Sequence, residues 1–202
     1  NRRFFNDRQA ATTWFNFGRN AALDLSPYNR TLLVDADYML NSSNLLPFLE
    51  SSQPFLCHRH VHSVHVPAPR LQTFGTKNTH MWWATVVIFD RSSIFTQDVF
   101  DVWKMVEQNY THYANLFGFG SRQYRNDYAL SIALLLCNGN VHPQQCELPW
   151  PLLNVDTEVE VSNINNTWWL EYTNADRKKK ICVKNHDLHI MCKSYLEKLY
   201  AV

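Results

Sequence analysis

Asp35 and Asp37 are the residues whose type and spacing say most about chemistry. They follow residues 31–34, an apolar run that predicts a short strand buried in the middle of an α/β sheet. Ligands of open α/β sheets bind at the carboxyl ends of strands, and two neighbouring carboxylates repel unless they share a cation. Hard carboxylate oxygens suit Mg²⁺ or Mn²⁺, which can hold a diphosphate and neutralise its charge as a leaving group. The alternative is a solvated turn with two helix-capping aspartates, which the preceding strand disfavours.

A second candidate is a run of alternating histidines. His58, His60 and His62 are predicted to share one face of a strand over residues 54–66. Alternate histidines on one face can bind zinc. No second ligand cluster at a familiar spacing accompanies them, so a polar, partly exposed strand is the favoured interpretation.

Alternating strands and helices are expected to position these residues. Apolar spacing predicts helices over residues 7–25, 44–50, 96–110 and 193–200. Strands are predicted over residues 81–89, near Val159, and over residues 168–172 and 181–183. The clearest helix follows Arg125, with Asn126 as its N-cap, Asp127 in its first turn and Gly139 at its C-terminal end. No repeat or linker interrupts the pattern, so we expect a single domain over residues 1–202.

Composition excludes several classes of protein. The 202 residues are 46% hydrophobic with a net charge of +1, which suits a packed core and creates no global field for nucleic acid or membrane. No apolar run approaches the ~18 residues of a membrane span. With only five glycines, the sequence has no Gly-rich phosphate loop. Its five cysteines lack a CxxC pair and predict reduced thiols in a cytoplasmic protein.

Four segments resemble nucleotide-sugar glycosyltransferases of the GT-A fold. Residues 26–37, SPYNRTLLVDAD, resemble the family's SPY-x-x-hhh-DxD segment. Residues 82–92 resemble the strand that backs the donor sugar, and residues 125–134 resemble the helix whose acidic start faces the acceptor. Residues 189–193, HIMCK, resemble the late H-x-M-x-K segment of glycogenin-like members. The resemblance implies an α/β, Rossmann-like GT-A fold, with a mixed central sheet flanked by helices.

The resemblance implies roles on the metal and donor side. Asp37 is expected to ligate Mn²⁺ or Mg²⁺ directly, and Asp35 is expected to contact the ion, a water on it or the donor ribose. His189 would be the third ligand as a neutral imidazole, with His186 as the alternative. Lys193 would pair with a donor phosphate. A structural histidine and a solvated lysine are the competing interpretations.

Further roles are implied around the acceptor. In an inverting transferase a carboxylate removes the proton of the acceptor hydroxyl, and Asp127 is the candidate. A cap that complements the helix dipole is the alternative for this residue. Arg125 is expected to hold a phosphate or an acidic acceptor, and Trp83 to contact the donor. Trp82 and Trp83 replace small residues of the family's strand, so the donor pocket departs from the family pattern.

The leading hypothesis is a metal-dependent glycosyltransferase that uses a nucleotide-diphosphate sugar, with a UDP-sugar favoured. The acceptor would be a glycan, or a modified base in viral DNA held by Lys178, Lys179 and Lys180. The expected location is the cytoplasm of a bacterium or of a virus-infected cell. The family carries a nucleotide-binding strand before its Asp-x-Asp, and only 34 residues precede it here, so that strand is expected to be truncated.

Two other functions remain open at this stage. A haloacid-dehalogenase-like phosphatase would use Asp35 as its nucleophile and Asp37 as acid and base. That family expects Thr or Val where Met39 stands, and a late Asp-Asp pair that the sequence lacks. The other alternative is a binding module without catalysis on a transferase fold.

Overall fold

The strands that carry the candidate site belong to two different sheets of a mixed α/β fold. The structure, a computed structural model, describes residues 2–5, 8–13, 17–120, 123–155, 159–174 and 177–191. Its strands are β1 (Arg2–Phe5), β2 (Arg8–Thr13), β3 (Arg30–Val34), β4 (Tyr38–Met39), β5 (Phe55–His58), β6 (His60–Ser63), β7 (Arg70–Leu71), β8 (Thr73–Phe74), β9 (Thr79–His80), β10 (Trp83–Asp90), β11 (Leu152–Val155), β12 (Glu160–Ile164), β13 (Thr167–Asn174), β14 (Arg177–Lys184) and β15 (Leu188–Ile190). Its helices are α1 (Ala22–Leu25), α2 (Leu46–Leu49), α3 (Ile94–Gln108), α4 (Tyr110–Phe117) and α5 (Asn126–Cys137), with 3-10 turns at Arg19–Ala21 and Gln144–Cys146.

The first sheet is antiparallel, with the order β3-β10-β5. β10 lies at its centre and is buried over residues 83–89, and α5 packs against both β10 and α3. The segment before the Asp-x-Asp turn is β3, at the edge of this sheet and half-buried throughout. The prediction of a fully buried central strand is therefore wrong, because among the described strands β3 pairs with β10 alone.

The two long helices on this sheet agree with the sequence. α3 begins two residues before the predicted start, where the hydroxyl of Ser93 accepts a hydrogen bond from the Thr96 N–H at 3.4 Å. Asn126 is the first residue of α5 rather than its N-cap, and its side-chain oxygen accepts from the Tyr124 hydroxyl at 3.0 Å. Gly139 follows α5 with a φ of 65°, the left-handed conformation predicted at that end.

The second sheet has the order β4-β15-β11-β6-β7. Its inner pairs are parallel and its outer pairs antiparallel. The register places His189 opposite Tyr38 on one side and Asn154 on the other. The late strand β15 is therefore brought next to the Asp-x-Asp turn.

The histidine-rich segment changes sheets in its middle. The single strand predicted over residues 54–66 is two strands, β5 in the first sheet and β6 in the second, with Arg59 between them. His58 ends β5 and is completely buried, whereas His60 and His62 lie half-buried on β6. The expected common face is confirmed for His60 and His62 and is wrong for His58, because the change of sheet separates His58 from the other two.

The third sheet is antiparallel, with the order β12-β13-β14, as the predicted strands there suggested. One face buries Val161, Trp168 and Leu170, which form a second apolar core with Leu188 and Ile190 of β15. The main core surrounds β10, α3 and α5. The third sheet thus packs against β15 through one face, and its other face is exposed to solvent.

Two further expectations need correction. The helix predicted over residues 7–25 is wrong, because residues 8–13 form a strand paired with β1, and Gly18, with a φ of 83°, directly precedes the helical residues. The described strands form five separate sheets rather than one central sheet, because β10 has only β3 and β5 as neighbours.

The helix expected over residues 193–200 lies outside the described residues. No helix in the described part of the chain is long and apolar enough to cross a membrane.

Candidate metal centre

The Asp-x-Asp turn is held between the first and second sheets. Asp35 follows β3, and its N–H donates to the Thr85 carbonyl of β10 at 2.9 Å. The Asp37 carbonyl accepts from the Ile190 N–H of β15, also at 2.9 Å. The pairing of β4 with β15 continues from this contact, so His189 is placed beside both aspartates.

Asp35, Asp37 and His189 have the arrangement of a metal site. One ligand atom from each lies within 4.8 Å of the others. Nε2 of His189 is 3.4 Å from Asp37 Oδ1 and 3.8 Å from Asp35 Oδ2. Within the described ranges, this is the one group of three or more His, Cys, Asp or Glu residues with such spacing. His186, the alternative ligand, is exposed and does not belong to it.

Asn154 sets the tautomer of His189. Its side-chain oxygen lies 2.9 Å from His189 Nδ1. An amide oxygen only accepts hydrogen bonds, so Nδ1 carries the hydrogen and the neutral ring presents the lone pair of Nε2 to the two carboxylates. A ligand histidine in proteins typically donates its other N–H in this way. Two carboxylate oxygens and an imidazole nitrogen, all electron-pair donors, fit Mn²⁺ or Mg²⁺.

Arg19 supplies positive charge to this group. Burial raises the pKa of Asp35, and the Arg19 guanidinium opposes the shift. Nη1 of Arg19 donates to Asp35 Oδ1, and Nη2 lies 3.5 Å from the Thr85 carbonyl oxygen. Arg19 was not predicted from the sequence, because a single arginine in a short 3-10 turn belongs to no motif.

Asp187, which directly precedes β15, forms hydrogen bonds with the loop that follows the Asp-x-Asp turn. Its carboxylate is buried, and Oδ1 accepts from the N–H groups of Asn41 and Ser42 at 2.7 and 2.8 Å. Oδ2 accepts from the Tyr38 hydroxyl at 3.2 Å. Because Asp187 precedes His189 by two residues, these bonds fix the ligand strand relative to the turn. The sequence gives no sign of Asp187, since Asn41 lies 146 residues away in the chain.

Asp127, the predicted catalytic residue, is held by two hydrogen bonds. Oδ1 accepts from the Ala84 N–H at 3.0 Å, and Oδ2 accepts from Nη2 of Arg125 at 3.2 Å. Ala84 adjoins Thr85, the residue bonded to Asp35, so Asp127 and the metal group lie along the same stretch of β10. The Arg125 guanidinium also lies over the ring of Tyr128, 4.6 Å from its centroid. Arg125 is therefore placed to orient Asp127.

Trp83, the predicted donor contact, is 4% exposed and pairs with His58 across β10 and β5. Its indole N–H has no hydrogen-bond partner among the described residues. Nδ1 of His58 lies 3.0 Å from the Trp150 carbonyl oxygen and so carries the hydrogen, which leaves Nε2 as a buried acceptor without a partner in the same part of the chain. Burial lowers the pKa of His58 to about 4, and nearby His189 adds to the shift. A polar ligand group or a water would satisfy both atoms.

The other histidines of this segment have separate partners. His60 Nδ1 lies 2.6 Å from Glu147 Oε1, and His62 Nε2 lies 2.9 Å from the Val66 carbonyl oxygen. These histidines belong to no metal-binding group within the described residues. The geometry therefore gives the zinc interpretation no support.

Four predicted residues remain, namely Lys178, Lys179, Lys180 and Lys193. Lys193 is outside the described residues. Lys178, Lys179 and Lys180 are exposed on β14 of the third sheet.

Comparison of the chain with protein-family models, with curated proteins and with solved structures found no match.

Proposed function

We propose that this protein is a metal-dependent glycosyltransferase that transfers a sugar from a nucleotide-diphosphate sugar, with a UDP-sugar favoured, to an acceptor hydroxyl. The observation that carries the proposal is the convergence of Asp35, Asp37 and His189 at the junction of two sheets. The order of elements supports it, since an Asp-x-Asp strand, an antiparallel strand, a helix with an acidic start and a late histidine strand also follow one another in GT-A enzymes. A GT-A core is part of the proposal and rests on this order of elements alone, since the described strands form five sheets.

The residues around the centre would hold the donor. A divalent cation bound there supplies positive charge that stabilises the departing nucleoside diphosphate. Asp37 and His189 are fixed by backbone and side-chain bonds before any ligand arrives. Arg19 adds a further cation beside Asp35. Trp83 is the proposed contact of the donor, and its indole N–H has no partner among the described residues.

Proton transfer is assigned to Asp127. The acceptor oxygen attacks the anomeric carbon, the bond from that carbon to the diphosphate oxygen breaks, and the hydroxyl proton passes to a base. An ionised carboxylate has about four lone-pair sites, of which Ala84 and Arg125 occupy two in Asp127. Its orientation is thereby fixed while lone pairs remain for the proton.

The test is release of the leaving group. The protein is incubated with Mn²⁺ and a panel of UDP-, GDP-, TDP- and CMP-sugars, and the released nucleotide is measured. Asp37→Ala should lower release at least about 100-fold, because even the loss of an outer partner of a metal ligand costs about 10–100-fold. Asp101→Ala, which removes an exposed carboxylate of α3, is the matched control and should match the wild type.

The outcomes separate the candidate functions. No release, with no Mn²⁺-dependent thermal shift for any sugar nucleotide, would contradict the transferase. Hydrolysis of phosphate monoesters that depends on Asp35 would favour the phosphatase instead. Sugar-nucleotide binding without turnover would favour the binding module.

A further inference from the structure

β14 carries a local concentration of positive charge. Its eight residues, RKKKICVK, include five cations. All five side chains are exposed, namely Arg177, Lys178, Lys179, Lys180 and Lys184. The chain as a whole has a net charge of only +1, so this strand differs in charge from the molecule that carries it.

The sheet register arranges three of these five cations in a line. Side chains alternate between the two faces of a strand, so Lys178, Lys180 and Lys184 share one face. Trp169 of β13 lies on that face opposite Cys182, while its neighbours Trp168 and Leu170 point into the second core. From Lys178 to Lys184 the strand advances about 20 Å. The solvent face of the sheet therefore presents a row of charge along its edge strand.

One carboxylate in this row is already neutralised. Glu171 lies opposite Lys180, with 2.6 Å between Oε1 and Nζ, and Nζ also lies 5.2 Å from the centroid of the Trp169 ring. Lys178 and Lys184, the other two lysines of this face, form no ion pair with the rest of the described chain. They are free to contact an external anion.

A line of charge fits a linear polyanion. A nucleic acid strand presents a phosphate about every 3.4 Å along the helix axis, so about six phosphates face a row of about 20 Å. A lipid surface is planar, and proteins that bind it also insert several apolar side chains. On this face Ile164 is exposed, while Trp169 is half-buried. Spacing and composition therefore favour nucleic acid.

We infer that the solvent face of the β12-β13-β14 sheet binds the phosphodiester backbone of a nucleic acid, with Lys178 and Lys184 as its outer contacts. Trp169 offers a ring on which a base of a single strand can stack. This binding requires neither the metal nor the donor, so it stands apart from the transferase proposal. Lysines on an edge strand also prevent sheets from pairing, and that alternative gives no nucleic acid affinity.

The experiment measures fluorescence anisotropy of labelled DNA, single-stranded and duplex, over increasing salt. The two unpaired lysines of this face, Lys178 and Lys184, predict that log K falls with log salt at a slope of about −1.4 to −1.8. Lys178→Glu/Lys184→Glu should lower affinity at least about 10-fold and reduce the slope by about 2. Arg70→Glu/Lys77→Glu makes the same change in net charge at exposed residues away from β14, and should lower affinity less than about threefold.

A second variant distinguishes the form of the nucleic acid. Trp169→Ala should weaken single-strand binding about 5-fold or more, and Trp169→Phe should restore it, because a ring remains for stacking. Duplex binding should stay within about twofold for both variants. A thermal melt of each variant verifies that it folds.

Three results would overturn the inference. One is wild-type protein without salt-dependent DNA binding. Another is an equal loss of affinity in the two double variants. The third is tighter binding to phosphatidylserine vesicles than to DNA with the same dependence on Lys178 and Lys184. His189→Ala should bind DNA like the wild type, because this binding does not require the metal. Loss of the transferase activity therefore leaves the DNA-binding result unchanged.

Discussion

The metal centre and the solvent face of β14 use charge in opposite ways. At the metal centre, each charged side chain is at least half-buried and bonded to a fixed partner, as Arg19 is to Asp35 and Arg125 is to Asp127. On β14, four cations extend into solvent without an ion pair to the rest of the described chain. A buried charge must have a partner at a fixed distance, whereas an exposed row specifies only sign and spacing. Selectivity is therefore expected at the junction of the sheets, and broad electrostatic affinity at the edge of the third sheet.

The largest expected effect is the loss of one metal ligand. His189→Ala should weaken Mn²⁺ binding at least about 100-fold, because one of three ligands disappears while the carboxylates continue to repel. Isothermal titration with Mn²⁺ measures the change, and His186→Ala is the control, since that histidine is exposed outside the group. Equal Mn²⁺ affinity in both variants would show that His189 is not a ligand, and would contradict the assignment of selective binding to the metal centre.

A smaller effect is expected one step away from the ligands. Asn154→Leu removes the oxygen that holds the Nδ1 hydrogen of His189, so Mn²⁺ affinity should fall about 10–100-fold. Asn154→Asp supplies an oxygen at the same place and should stay within about tenfold of the wild type. The same titration distinguishes them, and equal losses would show that Asn154 only fills space.

The burial of His58 predicts that the stability of the fold depends on pH. Burial lowers the pKa of His58 to about 4, against about 6.5 for an unfolded histidine. The unfolded chain therefore takes up the proton first, so this stability is present above pH ~6.5 and is lost as the pH falls towards ~4. At pH ~5 the loss is about 2 kcal/mol, and urea unfolding at this pH and at pH ~7.5 measures it.

Two variants test the assignment to His58. His58→Gln should show a decrease between these pH values that is smaller by about 2 kcal/mol. His112→Gln removes an exposed histidine of α4 and should keep the wild-type decrease. An unchanged pH dependence in His58→Gln would assign the acid sensitivity to another group.

The smallest expected effect concerns the affinity of the exposed β14 face for DNA. Glu171→Gln removes the carboxylate that faces Lys180, so DNA affinity at low salt should rise about twofold to fivefold. The gain should vanish at about 1 M salt, because exposed charges are then screened within about 3 Å. A decrease in affinity would mean that Glu171 holds Lys180 in its binding position.

The sequence predicted those helices and strands whose apolar pattern and turn residues lie within one segment. α3, α5, β10 and the strands of the third sheet were expected and are present, because their apolar periodicity and turn residues lie within each segment. The grouping of Asp35 and Asp37 with His189 was expected from a resemblance, and the structure brings these residues together. Whether they bind a metal stays a prediction.

The missed features all depend on pairing between distant segments. The edge position of β3 and the change of sheet at Arg59 follow from which strand pairs with which, and periodicity within a segment carries no such information. Arg19 and Asp187 were missed for the same reason, since neither belongs to a recognisable spacing. The helix expected over residues 7–25 failed because residues 8–13 pair with β1 as a strand, and such pairing overrides local spacing.

The bonds of Asp187 to the Asp-x-Asp loop have a consequence for how the protein is made. Asp187 and Asn41 close a loop of 146 residues. The entropic cost of such a loop grows slowly, by about 0.6 kcal/mol for each doubling of its length. A ribosome, however, releases the aspartates long before the histidine, so in a growing chain the three candidate ligands come together only after β15 has emerged and docked. Uptake of a divalent ion would therefore report that both sheets have joined.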